Sequence, residues 1–441
     1  MKRLLIRAED KNQWERRSPL IPQDLQDIVR ETGAAAFVQA SPKRFFKDSA
    51  YQEAGAGVVQ TMDDGDVVLG VKEIPKEKIL DNKVYLFFSH TIKGQTDNMP
   101  MLKRIMDSGS TLIDYERIVD DNDRRLVFFG RYAGDAGALN ILWLMGEYWQ
   151  HQEIETPFTE CRQALYYHSV QEAKTHLRKI GETIKAKGLP AAIAPMTIGI
   201  LGYGNVSKGA QNIFDALPTE RIAPENLTGA LAENRLQNDR IYLVIFEEKH
   251  LVQPKGDFTF DLQDYYQNPH KYVSRFDQYL PYLTILVNAT YWDSRYPRFV
   301  TWDNLNKLYT AYAYPKLQGI ADITCDVNGS IECNVRTTDS GQPAYLVQPE
   351  IELTTEGHKG EGIVLLAVDN LPAELPNDAS AFFSNQLKPF IAPLLRADFS
   401  GGLEQSNLPP ALKKATIVYK GKLTEDYDYL KEYLSVKPPR Y

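Results

Sequence analysis

Two groups of residues in this chain have the types and spacing for chemistry. In MTIGILGYGNVSKGAQNIFDAL an apolar run, Met196 to Leu201, meets Gly202 and Gly204, then a segment with Val206, Ala210, Ile213, Phe214 and Leu217 on one helical face. Strand, glycine turn and helix in that order are the context of a dinucleotide-binding turn. Gly202 permits the tight bend and Gly204 lets the backbone approach a pyrophosphate. The free N–H groups of the helix start, at Asn205, Val206 and Ser207, favour an anion. Ser207 stands at the third glycine position, with Gly209 two residues on. An ordinary strand-to-helix turn is the competing reading. After the run IYLVIF come Glu247 and Glu248, the residue type that hydrogen-bonds a ribose 2′-hydroxyl and repels a 2′-phosphate. They lie farther from Gly204 than the usual spacing of roughly 20 residues, and the polar insertion PTERIAPENLTGALAENRLQ accounts for the excess. The carboxylates favour NADH over NADPH, although the neighbouring Lys249 offers a phosphate one positive charge.

The second group lies in ERRSPL, GVKEIP, FFSHTIKGQ and DYERI, which put Arg17, Lys72, His90, Lys93 and Glu116 near the ends of apolar runs. Taken singly, each reads as a solvated strand end, a surface ion pair or a satisfied structural histidine. Taken together beside a nucleotide turn they suggest proton transfer, because neighbours and burial can bring Lys and His near neutrality. Other chemistries fade. There is no GxSxG elbow, HExxH or GxxxxGK[ST] loop. Cys161, Cys325 and Cys333 form no CxxC pair and no zinc-like spacing, so no metal is expected and reduced thiols are the simplest state. A net charge of −8 argues against a general nucleic-acid binder. The longest apolar run, Ala136 to Gly146, is far short of the ~20 residues of a membrane span. The start MKRLLIRAED meets charge before any signal-peptide core, so a cytoplasmic protein is expected.

The elements that must hold these residues follow from the alternation of short apolar runs with helical patterns over 441 residues, the mark of parallel α/β architecture. MKRLLIRA, AAAFVQ, DVVLGVKE, KVYLFFSH and STLIDYE read as buried strands, and PLIPQDLQDIVRET as a helix begun by Pro19 or Pro22. A long buried helix is expected over Ala136 to Gln150 after the glycine-flanked GRYAGDAG, with Gly134 to Gly137 free to act as a hinge. MTIGIL, IYLVIF, LTILVN, GIADIT and GIVLLAVD read as strands of a second unit. A helix capped by Asp378 and a polar tail then return the chain to the first. The expectation is two Rossmann-like α/β domains with parallel sheets and a cleft between them: residues 1–133 plus 372–441 for substrate and catalysis, and 134–371 for the dinucleotide.

The order ERRSPL, VQASPKR, GVKEIP, FFSHTIKGQTDNMPML, DYERIV, FGRYAGDAG, GYGNVSKGAQ, NATYWD and VDNLPAELP resembles the lysine–2-oxoglutarate reductase family, the domain at the N-terminus of bifunctional aminoadipic semialdehyde synthases. More distantly the chain is similar to saccharopine and alanine dehydrogenases. The resemblance implies that Lys72 and His90 are an acid/base pair and that Arg17 meets a substrate carboxylate. It implies that Glu73, Lys93 and Glu116 are the charged residues around them, and that Asp369 in VDNLP lies near the nicotinamide. It also implies NADPH, where the Glu pair favours NADH. The reaction implied joins L-lysine and 2-oxoglutarate into saccharopine, with Arg131 helping Arg17 hold the keto acid. The chain ends at Tyr441, so saccharopine would be oxidised by a separate protein. Another opine or amino-acid dehydrogenase, and a catalytically silent NAD(P)-binding regulator, are the alternatives on this fold.

Overall fold

The computed structural model describes residues 1–434 apart from 313. Its contacts divide the chain into two compact units, Met1–Phe129 with the chain from Pro376 onward, and Gly130–Leu375.

The first unit opens with β1 (Leu4–Ile6), β2 (Ala36–Gln39), β3 (Gly57–Val59), β4 (Val67–Leu69), β5 (Val84–Phe87) and β6 (Thr111–Asp114). β1, β4, β5 and β6 are buried at every residue, as their unbroken apolar runs demand of strands covered on both faces. The first helix runs Pro22–Thr32, so Pro22 is the starter, and it ends at Gly33, whose φ of 68° closes the last turn on Val29.

The second unit is built on β7 (Met196–Leu201), β8 (Thr219–Arg221), β9 (Ile241–Phe246), a small antiparallel pair β10 (Val252–Pro254) and β11 (Tyr272–Ser274), then β12 (Ile285–Asn288), β13 (Gly319–Asp322), β14 (Ala344–Gln348), β15 (Leu353–Glu356) and β16 (Ile363–Leu366). The main sheet has the order β15-β14-β16-β13-β12-β7-β9-β8. From β8 to β16 it is parallel, and β14 and β15 pair antiparallel at one edge. Ile198 and Ile200 of β7 belong to one core cluster and Leu201 to another, as do Leu243 and Val244 of β9, so apolar side chains fill both faces. The chain leaves β7 toward β9 and later returns to its other side as β12. That reversal is the switch point where open α/β sheets bind ligands, at the carboxyl ends of the strands.

The long helix spans Gly130–His151, beginning six residues before the expected Ala136 and absorbing the glycines. A methyl group on Gly134 would sit 1.8 Å from the Val206 carbonyl, and one on Gly209 2.1 Å from the Arg131 carbonyl. Two helix backbones touch here, so Gly134 and Gly209 serve a close crossing and Gly134 to Gly137 lie in continuous helix, not at a hinge. The helix Pro376–Arg396 starts two residues before Asp378, which therefore occupies the first turn, where a carboxylate favours the helix dipole, and is not the N-cap. The polar tail contains strands, β17 (Thr416–Tyr419) and β18 (Lys422–Leu423), which complete the first sheet as β18-β17-β6-β5-β4-β1-β2-β3. Both sheets are thus mixed, parallel at the centre and antiparallel at one edge. Among the described residues no helix is long and apolar enough to cross a membrane.

Candidate functional site

In the first sheet β6, β5, β4 and β1 are consecutive and parallel, so the residues that follow them gather at one end. Glu9, beyond β1, is buried and accepts the N–H groups of Val71 at 2.7 Å and Lys72 at 3.0 Å. It thereby fixes the backbone that carries Lys72 and Glu73. The Lys72 ammonium has no hydrogen-bond or ion-pair partner among the described residues. Burial, and then the positive charge of Arg17, push it below the usual lysine range. The Glu73 carboxylate is bonded to His90 Nδ1 and lies 3.3 Å from Lys11 Nζ. Burial opposes its ionisation, but the bond and charge of His90, with Lys11, hold it down at about 2.

His90 is held in the left-handed region, φ 48°, a conformation that its surroundings must enforce. They do so from both sides. Ser89 donates its N–H (3.0 Å) and its hydroxyl to Asp114 at the end of β6, and Asn98 donates to the His90 carbonyl at 3.1 Å. The Phe88 ring stacks on the imidazole at 6.3 Å. Asp114 is pushed up to about 6 by burial, despite accepting from Ser89 and from the Glu116 N–H. With Nδ1 given to Glu73, Nε2 is the His90 nitrogen available to a substrate.

The other expected residues fall differently. Arg17 is buried, bonded through Nε and Nη2 to Glu15 at 2.8 and 2.6 Å, and lies 4.2 Å from the centre of the Phe129 ring. Glu116 pairs with Arg125. The Lys93 side chain is exposed, and only its backbone N–H is engaged, with Gln95. Arg131 and Asp369 belong to the second unit, where Arg131 is 3.4 Å from Asp135 and Asp369 is exposed beyond β16. Glu9 and Glu15 were not foreseen. Ser89 and Asp114 stand visibly at strand ends, but nothing in the sequence says that they brace His90. A groove of about 470 Å³ beside the pair is lined by Asp10, Lys11, Glu73, Asp97 and Asn98, among others.

At the switch point of the second sheet Gly202 has φ 89° and donates its N–H to the Phe246 carbonyl at 2.9 Å, tying the turn to β9. A methyl group there would press on Ala289 and Thr290, 3.1 and 3.2 Å away. One on Gly204 would meet nothing within 4 Å, so the space over the start of helix Asn205–Phe214 is open. Ser207 is buried, its hydroxyl accepting from Gln211 at 3.0 Å. A cavity of about 270 Å³ adjoins the turn, walled by Gly202, Tyr203, Gly204, Glu248, Tyr266 and Tyr291. An open glycine backbone, a free helix start and an aromatic-walled cavity with a carboxylate fit the phosphates and one nucleoside of a dinucleotide. The two glutamates part company. Glu247 caps the next helix and pairs with Lys249 at 3.3 Å, whereas Glu248 lines the cavity.

Comparison with known proteins agrees with this architecture. Residues 5–136 match the alanine dehydrogenase/PNT N-terminal domain and residues 318–426 its C-terminal domain, together more than half of the chain. The mitochondrial alpha-aminoadipic semialdehyde synthase of Rattus norvegicus is 34% identical over 97% of this chain and 47% of the relative, so the chain spans about half that protein's length. The NAD(+), L-lysine-forming saccharopine dehydrogenase of Yarrowia lipolytica is 25% identical over 90% of this chain and 93% of its own. Among solved structures an L-alanine dehydrogenase superimposes with a TM-score of 0.62 at 18% identity, covering 98% of this chain and 100% of that one. The chain belongs to the alanine dehydrogenase/saccharopine dehydrogenase superfamily.

Proposed function

We propose that the chain is an oxidoreductase of lysine metabolism that condenses the ε-amine of L-lysine with 2-oxoglutarate and reduces the imine to saccharopine, with release of water. The observation that carries this reading is an unpaired lysine, Lys72, with its basicity depressed, one strand away from an imidazole oriented by a carboxylate, His90 with Glu73. A substrate amine with a pKa near ~10.4 must lose a proton before it attacks a keto carbon. His90 takes that proton at Nε2, because Glu73 holds the opposite nitrogen as the donor. Lys72 polarises the keto oxygen and protonates the departing hydroxyl, a step that a depressed ammonium favours. Arg17 contributes positive charge at the keto acid's carboxylates, with Glu15 keeping its fork fixed. Glu116 and Lys93 complete the charged surround, and Arg131 assists at the keto acid. A bound nicotinamide would supply hydride to the imine carbon, and Gly202, Gly204, the helix start at Asn205, Val206 and Ser207, and Asp369 are the residues that would hold it. The Glu248 carboxylate in the cavity supports NADH over NADPH.

The test is oxidation of NADH and of NADPH with 2-oxoglutarate against a panel of amines. Turnover with L-lysine well above all other amines is expected. Preference for another amine would make the chain a different opine or amino-acid dehydrogenase, and nucleotide binding without turnover would make it a silent regulator.

A further inference from the structure

Beyond β9 the chain forms the short helix Glu248–Leu251 and then β10 and β11, which bracket a second helix, Leu262–Gln267. That second helix is anchored at its start and at one buried side chain. Asp261 caps it by accepting the Asp264 N–H at 2.7 Å, and buried Tyr265 packs its ring 5.3 Å from those of both Tyr272 and Tyr296. The next residue, Tyr266, half-exposed, donates its hydroxyl to Glu248 Oε1 at 2.6 Å, and Tyr203 of the glycine turn is within hydrogen-bonding reach of both the phenol and the carboxylate. All three residues line the cavity beside Gly202 and Gly204. Glu247 is occupied elsewhere: it is exposed, bonded with His250 in a capping box, and paired with Lys249.

We propose that Tyr266 sets the cofactor preference as a positioning residue, by holding the Glu248 carboxylate in the cavity where it accepts the ribose hydroxyls and repels a 2′-phosphate. The inference rests on the reading that this cavity takes the nucleoside end of a nicotinamide dinucleotide. Its physical basis is entropy. A glutamate at a surface cavity has three free torsions and swings away from a phosphate at little cost. A charge-assisted bond from a phenol on a helix anchored by Tyr265 restricts that freedom and raises the cost of swinging away. Burial and the neighbouring Glu248 charge raise the Tyr266 phenol, so it stays a donor across the working pH range. The sequence separates Tyr266 from Glu248 by 18 positions, and only the fold of the segment from β10 to β11 joins them.

The test is calorimetric binding of NADH, NADPH, ADP-ribose and 2′-phospho-ADP-ribose to the full chain and to three variants, Tyr266→Phe, Glu248→Gln and Glu247→Gln, with melting curves for each. The wild type should bind NADH about tenfold or more tighter than NADPH, the scale of one charge-assisted contact. Glu248→Gln should bring the ratio near one, mainly by improving the phosphorylated ligands. Tyr266→Phe should move it the same way, improving the 2′-phosphorylated ligands while weakening ADP-ribose modestly through the looser ribose contact, and Glu247→Gln should leave it alone. A merely structural loss would weaken phosphorylated and plain ligands alike. An unchanged ratio in Tyr266→Phe, or an equal weakening of all four ligands, overturns the proposal while leaving the dinucleotide reading intact. Tighter NADPH binding by the wild type overturns it as well. Failure of all four ligands to bind the wild type overturns the dinucleotide reading itself.

Discussion

Among single residues, the proposed chemistry turns on Lys72, His90 and Arg17. Lys72→Met or His90→Gln should each lower turnover by roughly a hundredfold or more, the usual range for acid–base groups. Steady-state rates at saturating substrates check this, with dinucleotide affinity unchanged as the control. Arg17 lowers the basicity of Lys72 by its positive charge, second only to burial. Arg17→Ala therefore lets the Lys72 pKa rise, and the alkaline limb of the kcat profile, where the acid is lost, should move to higher pH. The same variant should raise KM for 2-oxoglutarate more than for lysine, by the roughly tenfold or more that one charge-assisted bond is worth. Profiles that superimpose would remove Arg17 from the site. Asp114 offers a stability test. Its folded pKa, about 6, lies above the ordinary value of 3.8, so its contribution is fully present below about pH 4 and is lost as pH rises through 6. Asp114→Asn should consequently cost more stability at pH 4 than at pH 7, by an increment on the order of 2 kcal/mol. Denaturant melts of both proteins at the two pH values measure that difference.

At the scale of elements, two glycines separate binding from packing. Gly204→Ala introduces a methyl group into open space at an ordinary φ of −74°, so its melting temperature should stay within about 2 °C of wild type while dinucleotide affinity falls. Gly134→Ala drives the methyl group into the Val206 carbonyl and must part the helices. It should cost several kcal/mol and lower the melting temperature clearly. Equal melting losses in the two variants would mean that the crossing is not close-packed. These elements differ in how far the sequence reveals them. β4, β5, β7 and β9 are continuous apolar runs and could be read directly. β10 and β11 are three residues each with polar or proline content, and β17 hides four buried residues, Thr416 to Tyr419, in a charged tail. Such strands exist because a neighbouring edge completes their hydrogen bonds, and periodicity carries no trace of that.

At the scale of the whole molecule, sheet order decides which residues can work together. Lys72 and His90 are 18 positions apart in sequence and come to the same end of the sheet because β4 and β5 are adjacent in it. Their types and strand-end positions were legible. The Glu73 bond that orients His90, the Glu9 carboxylate beneath Lys72 and the Glu15 clamp on Arg17 were not, since each depends on pairings between segments that composition leaves undetermined. The division of the Glu247 and Glu248 pair into a cap and a cavity wall likewise needed the helix that begins between them. Both units carry their own buried cores, one for the proton-transfer residues and one for the glycine turn, and the proposed reaction requires chemistry from each. The most direct test of that requirement is to incubate the protein with NADH, 2-oxoglutarate and lysine labelled with nitrogen-15 at the ε-amine, and to weigh the product by mass spectrometry. The account predicts saccharopine carrying the label, one molecule for each NADH oxidised, and no reaction when either substrate is withheld. Labelled nitrogen in glutamate, or NADH oxidation that does not depend on lysine, would contradict it.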